Sequence, residues 1–405
     1  MGILTRQIWS TEAVSDLSGM RDMNFEFATA RRIIFGEGKR REIAKIARSL
    51  GSRVLVVTGK NQERATWLLN QLKKESCDTA IFPVEGEPTI DVARYGASCA
   101  REFGANAVIG VGGGSVIDAG KAIAALATNL GDVLDYVEVI GKAQPLVESP
   151  LPYLAVPTTA GTGAEVTRNA VLGSPEHQVK VSLRSAKMLP AVAVIDPELT
   201  YELPPDLTAQ TGLDALTQLI EPFVCNRANP LTDAICREAI PRVVHALPRV
   251  FSERRDKDAR REMAFGSLCG GLALANAGLG AVHGFAAPIG GMIDAPHGAI
   301  CAALLAPVMG MNLAVATQSG RSEIVARYDE VARLVTDSGK AKGTGGVEWI
   351  DDLCRTLRVR GLGSFGVKES SFDILAERAE RASSMKANPV QLNREQLLTI
   401  LARAL

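Results

Sequence analysis

A chain of 405 residues exceeds what one ordinary hydrophobic core organises, so two domains are expected, each with a substantial apolar interior. Hydrophobic residues make up 46% and charged residues 22%, with Lys+Arg and Asp+Glu balanced at 45 each, so no general field exists to gather nucleic acid or an anionic membrane. The seven cysteines (Cys77, Cys99, Cys225, Cys236, Cys269, Cys301, Cys354) are odd in number and form no CxxC pair, which argues against a disulfide framework or a zinc knuckle; they read as reduced core residues. The opening MGILTRQIWSTEAVSDL lacks the basic segment, apolar run and cleavage site of a secretory signal, and no stretch is read as reaching the roughly 18 charge-free apolar residues of a membrane span. The expected setting is therefore the cytoplasm and the expected partner a small molecule.

From about residue 30 the pattern alternates. Short β-branched runs at Arg53 to Thr58, Thr79 to Pro83, Ala107 to Val111, Tyr153 to Val156 and Val192 to Ile195 are separated by helical stretches such as Gly38 to Leu50. This is the βαβ rhythm of a mostly parallel sheet. After Asp196-Pro197 the texture changes to long helical patterns rich in Ala, Leu and Arg with almost no strand-like run. The expected architecture is an α/β dinucleotide-binding domain over residues 1–198 and an all-helical domain over 199–405. Lys340 to Gly346, KAKGTGG, reads as a loop between helices.

The most informative local feature is Val108-Ile109-Gly110-Val111-Gly112-Gly113-Gly114-Ser115, followed by a helical run from Val116 to Ala127. A buried strand ending in three glycines at a helix start lets backbone approach a diphosphate, while the free N–H groups and dipole of the helix end favour the anion. The run is neither GxGxxG nor a P-loop with its lysine, and a tight strand-to-helix turn explains it equally well in isolation. Two further segments support the phosphate reading. Val156-Pro157-Thr158-Thr159-Ala160-Gly161-Thr162-Gly163 ends a strand in hydroxyls suited to a ribose or carboxamide, or in a threonine that caps a helix. Val54 to Val57 leads through Thr58 into Gly59 and Lys60, where an acidic residue would select the free 2′-hydroxyl of NAD; glycine and lysine leave room for the 2′-phosphate of NADP, so both cofactors stay open.

Only four histidines occur, His177, His245, His283 and His297. The last two share a glycine-broken helical stretch, and upstream Asp214 and Gln218 stand four apart on one helix face. One carboxylate with two imidazoles suits a divalent metal that keeps a position open, whereas each histidine alone also fits a hydrogen-bonded structural residue.

Taken in order across nearly the whole chain, FGEG at Phe35 to Gly38, GEPT at Gly86 to Thr89, GGGSVIDAGKAIA at Gly112 to Ala124, PTTAGTGAEVT at Pro157 to Thr167, TGLDALT at Thr211 to Thr217 and APHG at Ala295 to Gly298 resemble the iron-containing (group III) alcohol dehydrogenase family, a relative of glycerol dehydrogenase and dehydroquinate synthase. The resemblance implies catalysis in a cleft between the two domains of a homodimeric enzyme. It implies that Gly112, Gly113, Gly114 and Ser115 hold a pyrophosphate near Asp118, that Gly59, Thr158, Thr159 and Thr167 line the cofactor channel, and that Lys180 contacts a ribose. It makes Asp214, His283 and His297 metal ligands for iron or zinc, with Gln218 at the position where the family usually has its fourth ligand, a histidine. An amide oxygen binds such metals less well than imidazole. A second histidine usual four residues after position 283 is replaced by Ala287, so a proton relay must use another group.

The expected reaction is reversible hydride transfer between NAD or NADP and an alcohol, aldehyde or oxo acid, with charge on the carbonyl oxygen met by the metal at Asp214, His283 and His297 and with the two histidines as catalytic residues. Arg168, Arg184 and Arg227 are candidate partners for a substrate carboxylate. The alternatives are a metal-independent oxo-acid reductase of the maleylacetate reductase type, an NAD-using lyase and a cofactor-binding protein without net turnover.

Overall fold

The computed structural model describes residues 24–405, and the segment read for a secretory signal lies outside them. Each of the five apolar runs forms a strand where the sequence places it, and Ile33–Phe35 adds a sixth that the runs did not mark. β1 (Ile33–Phe35), β2 (Arg53–Gly59), β3 (Asp78–Val84), β4 (Ala107–Gly112), β5 (Tyr153–Pro157) and β8 (Val192–Ile195) make one six-stranded sheet in the order β1-β8-β5-β4-β2-β3. Every pairing in it is parallel. A parallel sheet needs both faces covered, which is why β4, β5 and β8 are buried at every residue. The helices α1 (Ile43–Leu50), α2 (Thr66–Lys74), α3 (Ile90–Phe103), α4 (Gly114–Thr128) and the short α5 (Val133–Tyr136) provide the crossovers.

The chain runs from β2 outward to β3 and then returns to β4 on the other side of β2. The strand order therefore reverses between β2 and β4, the place where doubly wound sheets open a crevice beyond the carboxyl ends of their strands. Gly59 ends β2 and Gly112 ends β4, so both border that crevice. Tyr153 locks the sheet to α4: its hydroxyl donates to the Ile117 carbonyl at 3.0 Å, and its ring fills the space left by the missing side chains of Gly110 and Gly120.

Two further elements escape the sequence pattern. β6 (Asn169–Ser174) and β7 (Val179–Arg184) form an antiparallel hairpin outside the main sheet. Beyond Ile195 the described residues are helical: α6 (Pro205–Val224), α7 (Pro230–Ser252), α8 (Lys257–Asn276), α9 (Ala281–Met292), α10 (His297–Gln318), α11 (Ser322–Thr336), α12 (Gly343–Thr356), α13 (Phe372–Arg381) and α14 (Arg394–Ala404). The expected loop over Lys340 to Gly346 is corrected, because α12 already begins at Gly343. Packing overrides glycine's poor helix propensity here: a side chain at Gly343 or Gly346 would strike Leu313 or Ala332 at 2.8 Å, so only glycine lets this turn approach α10 and α11.

α10 also corrects the reading that no stretch has the length and apolarity of a membrane span. It has both, with a mean hydropathy of 2.0 in its most apolar window. Two thirds of that window is buried against the surrounding helices, including α6, α9, α11, α12 and α14, so its apolarity follows from its place in the middle of the helical half.

The two halves meet backbone to backbone. Gly163, with φ +58°, lies against Gly271 of α8, where a Cβ on Gly271 would stand 2.4 Å from the Gly163 carbonyl oxygen. A Cβ on Gly161 of the same loop would stand 2.8 Å from Thr211 of α6. The loop after β5 is thus wedged between the glycine turn after β4 and the helix that carries Asp214.

Candidate active site

The glycine turn is a cradle. Gly113 caps α4, Val116 and Ile117 close their N–H groups onto the Gly113 carbonyl at 3.0 and 3.1 Å, and Gly114 and Ser115 occupy the first turn, whose N–H groups precede any intrahelical acceptor. A Cβ at Gly112 would strike Val116 at 2.5 Å and one at Gly114 would strike Thr162 at 2.8 Å, while one at Gly113 would crowd the Thr159 methyl at 3.3 Å. Thr158 is tied to the same turn through its N–H on the Gly112 carbonyl at 2.9 Å. At Gly59 an added Cβ meets nothing within 4 Å, so this strand end stays open. Gly59, Gly112, Gly113, Gly114, Ser115, Thr158 and Thr159 therefore come together at the crevice, whereas Thr167 does not.

Asp118, Thr167 and Lys180 have partners of their own. Asp118 accepts from the Val171 N–H at 3.1 Å and pairs with Lys121 at 3.0 Å. Lys121, fully buried, also donates to Thr167 Oγ1 and the Ala164 carbonyl, both at 2.9 Å, and to the Asn169 carbonyl. This network pins the loop after β5 and the start of β6 to α4. The buried Lys180 ammonium pairs with Glu87 at 2.5 Å and lies against Gly290 of α9, bridging the α/β half and the helical half. Lys60 pairs with Glu85 at the ends of β2 and β3.

Three helices deliver the second group. Asp214 on α6 is buried, His283 sits on the first turn of α9, and His297 begins α10. Asp214 Oδ1 lies 3.5 Å from His283 Nε2 and 3.7 Å from His297 Nε2. Glu221, two turns along α6 from Asp214, accepts from His283 Nδ1 at 2.6 Å and from the Val282 N–H at 2.7 Å. That carboxylate holds the Nδ1 proton and aims Nε2 toward Asp214, where Nε2 can bind a metal once it gives up its own proton. Sequence reasoning passed over Glu221, and it passed over Cys301, counted only as a core thiol. Cys301 follows His297 by one turn of α10, and its donor atom and those of Asp214, His283 and His297 all lie within 4.8 Å of one another.

Electrostatics and unsatisfied valence both ask for a cation. Burial works against ionisation of Asp214, yet His297, His283 and the Gln218 amide prevail and hold its carboxyl below the usual range. Burial likewise works against charge on His283 and His297, but the Cys301 sulfur and the Asp214 carboxylate, joined at His283 by Glu221, raise both imidazoles above the ordinary value. Asp214 Oδ1 and Gln218 Oε1 are buried acceptors with no hydrogen-bond partner, the kind of group that costs free energy unless something positive meets it. A divalent metal fits these donors.

Family models match both halves: iron-containing alcohol dehydrogenase over residues 30–197, and the C-terminal part of the Fe-containing alcohol dehydrogenase family over residues 208–405. This chain belongs to the iron-containing alcohol dehydrogenase family. Among relatives of that family, alcohol dehydrogenase 4 of Saccharomyces cerevisiae is 34% identical over 377 residues, covering 91% of this chain and 96% of the yeast protein. The NAD-dependent methanol dehydrogenase of Bacillus methanolicus is 31% identical over 388 residues, covering 92% and 97%. The crystal structure of a 1,3-propanediol oxidoreductase superposes with a TM-score of 0.87 at 31% identity, over 94% of this chain and 100% of that one. As a member of the family the chain is an oxidoreductase, the family uses NAD and a metal, and Asp214, His283, His297 and Cys301 form a possible metal site.

The remaining sequence candidates fall elsewhere. His177 hydrogen-bonds with Ser174 at 2.8 Å in the hairpin turn, and His245 is exposed on α7. Arg168 and Arg184 pair with Glu26 and Glu138. Ala287, one turn past His283, offers no proton-carrying group.

Proposed function

We propose that this protein interconverts small primary alcohols and aldehydes with NAD as the hydride carrier and a divalent metal at Asp214, His283 and His297. The observation that carries the reading is the buried, unpartnered Asp214 oxygen facing two imidazoles, on a helix whose Thr211 packs against the loop that also walls the phosphate cradle. The nicotinamide supplies hydride at its ring carbon, and the metal, when bound, supplies positive charge for the oxygen of the alcohol or carbonyl.

The residues of the chain do the rest. The glycine turn and the α4 end bind the pyrophosphate, and Thr158 and Thr159 orient the nicotinamide half toward the helical domain. Glu221 fixes His283, and the buried helices exclude water from the reacting carbon. With Ala287 in place of a relay group, the proton passes through solvent or a ribose hydroxyl at the cleft side, where His297 is about one third exposed. NAD is favoured over NADP because the charge of Lys60 is already committed to Glu85, which places a carboxylate at the end of β3 near the adenosine side of the crevice. The seven free cysteines suit a reducing cytoplasm.

The test is isotopic. NADH deuterated at C4 and an aldehyde should give an alcohol deuterated at the carbinol carbon, faster than with NADPH. Bound cofactor with no deuterium in the product across a panel of aldehydes and oxo acids would eliminate the dehydrogenase reading.

A further inference from the structure

The donor cluster contains one more metal-binding atom than the reading above uses. Cys301 Sγ lies 3.7 Å from His297 Nε2 and 3.9 Å from His283 Nε2, on a fully buried side chain. Tetrahedral bonds of about 2.0–2.2 Å to nitrogen and oxygen and about 2.3 Å to sulfur place neighbouring donors roughly 3.3–3.6 Å apart. Four of the six donor–donor separations at this site, 3.5, 3.7, 3.7 and 3.9 Å, match those edges with a few tenths of slack, and all six lie within 4.8 Å. Gln218 is the poorer candidate for the fourth position. Its buried oxygen is a neutral amide donor, which binds such a metal less well than a thiolate.

We infer that Cys301 is the fourth metal ligand, so that the site is Asp-His-His-Cys and takes zinc in preference to iron. The inference rests on the metal-assisted reading and goes beyond it by adding a fourth protein ligand from α10, with the substrate oxygen entering as a fifth. A thiolate is a softer donor than an amide oxygen and suits zinc. The observation independent of the cysteine is the unpartnered, buried Asp214 oxygen, which faces the imidazoles that Cys301 also approaches. Binding the ion releases the thiol proton to solvent, so one carboxylate and one thiolate balance the two positive charges of the metal and the ligand set is neutral.

Cobalt(II) reports this directly, since a tetrahedral cobalt site shows visible d–d bands and a cobalt–thiolate bond adds a near-ultraviolet charge-transfer band. Full-length protein stripped with chelator and reloaded with cobalt(II) should show both. Cys301→Ser should lose the charge-transfer band while keeping d–d bands, and its zinc affinity by chelator competition should fall by more than the roughly 10–100-fold that loss of an outer-shell partner costs. Gln218→His combined with Cys301→Ser should regain zinc affinity without regaining the band, which separates a lost ligand from a damaged fold. Unchanged NADH binding by Cys301→Ser provides the fold control. Visible bands without a charge-transfer band in the wild-type protein, or a band that survives Cys301→Ser, would overturn the assignment while leaving a metal at the other three residues. No cobalt bands at all would overturn the metal-assisted reading itself, and this assignment with it.

Discussion

Glu221 and Glu165 show how single buried carboxyls act in this protein. Glu221 spends one oxygen on His283 Nδ1 and the other on the Val282 backbone, so it orients the ligand and fixes the start of α9 at once. Glu221→Ala should lower zinc affinity about 10–100-fold and leave the Kd for NADH unchanged, as read by chelator competition and cofactor fluorescence. Equal loss of both affinities would mean that Glu221 is only a fold determinant. Glu165 sits in the loop after β5, where burial raises its pKa from 4.5 to about 7 despite the lowering effects of its backbone hydrogen bond and Lys121. The folded chain then holds a proton that the unfolded chain has released, so the stability this group contributes is full below pH 4.5 and is lost as pH rises through about 7. Glu165→Gln mimics the protonated form and should remove that slope, gaining up to roughly 3 kcal/mol over wild type above neutrality at 1.36 kcal/mol per pKa unit. Denaturant titrations across this range read it, and parallel profiles for the two proteins would contradict it. At this scale Asp214, His283 and His297 were legible from their motifs. Glu221 and Cys301 were not, because their roles come from a contact 62 residues away along the chain and from a thiol brought beside two imidazoles by the crossing of α9 and α10.

The crevice between β2 and β4 depends on where elements end. Gly59 closes β2 facing open space, so a side chain there changes the cofactor's surroundings without disturbing the sheet. Because an added Cβ at the half-buried Gly59 meets nothing within 4 Å, Gly59→Asp should leave thermal stability within about 0.5 kcal/mol, and should weaken NADPH binding far more than NADH binding, because the added carboxylate repels a 2′-phosphate and accepts from a 2′-hydroxyl. Titrations of both cofactors measure this, and equal weakening would move the adenosine away from the end of β2. The strands of the main sheet were readable because a doubly covered parallel sheet needs unbroken apolar runs. The hairpin was not, since β6 alternates half-buried and buried residues and its turn carries no Asn-Gly signal, and β1 has only three residues. The start of α12 was misread because glycine's local preference for loops was outweighed by two contacts that admit no side chain.

The whole molecule works through the seam between its halves. Cradle and donor cluster belong to different halves, and the loop after β5 touches both, against Gly113 and Gly114 on one side and Thr211 and Gly271 on the other. Gly271→Ala would drive a methyl group toward the Gly163 carbonyl, with a cost of about 1–3 kcal/mol typical of overpacking. If the seam sets the spacing between nicotinamide and metal, kcat should fall more than tenfold while the Kd for NADH changes little; a loss confined to thermal stability would make the seam a packing surface alone. The division into an α/β half and a helical half was visible in the change of texture after Pro197, but the seam was not, because its glycines reach partners that sequence spacing does not specify.

The most direct measurement of the central claim joins metal content to turnover. Protein purified without chelator and assayed for NADH oxidation with aldehydes should carry near-stoichiometric zinc or iron, lose activity on exhaustive chelation and regain it on adding the metal back. Metal-free protein that turns over aldehyde at the undiminished rate would contradict the account.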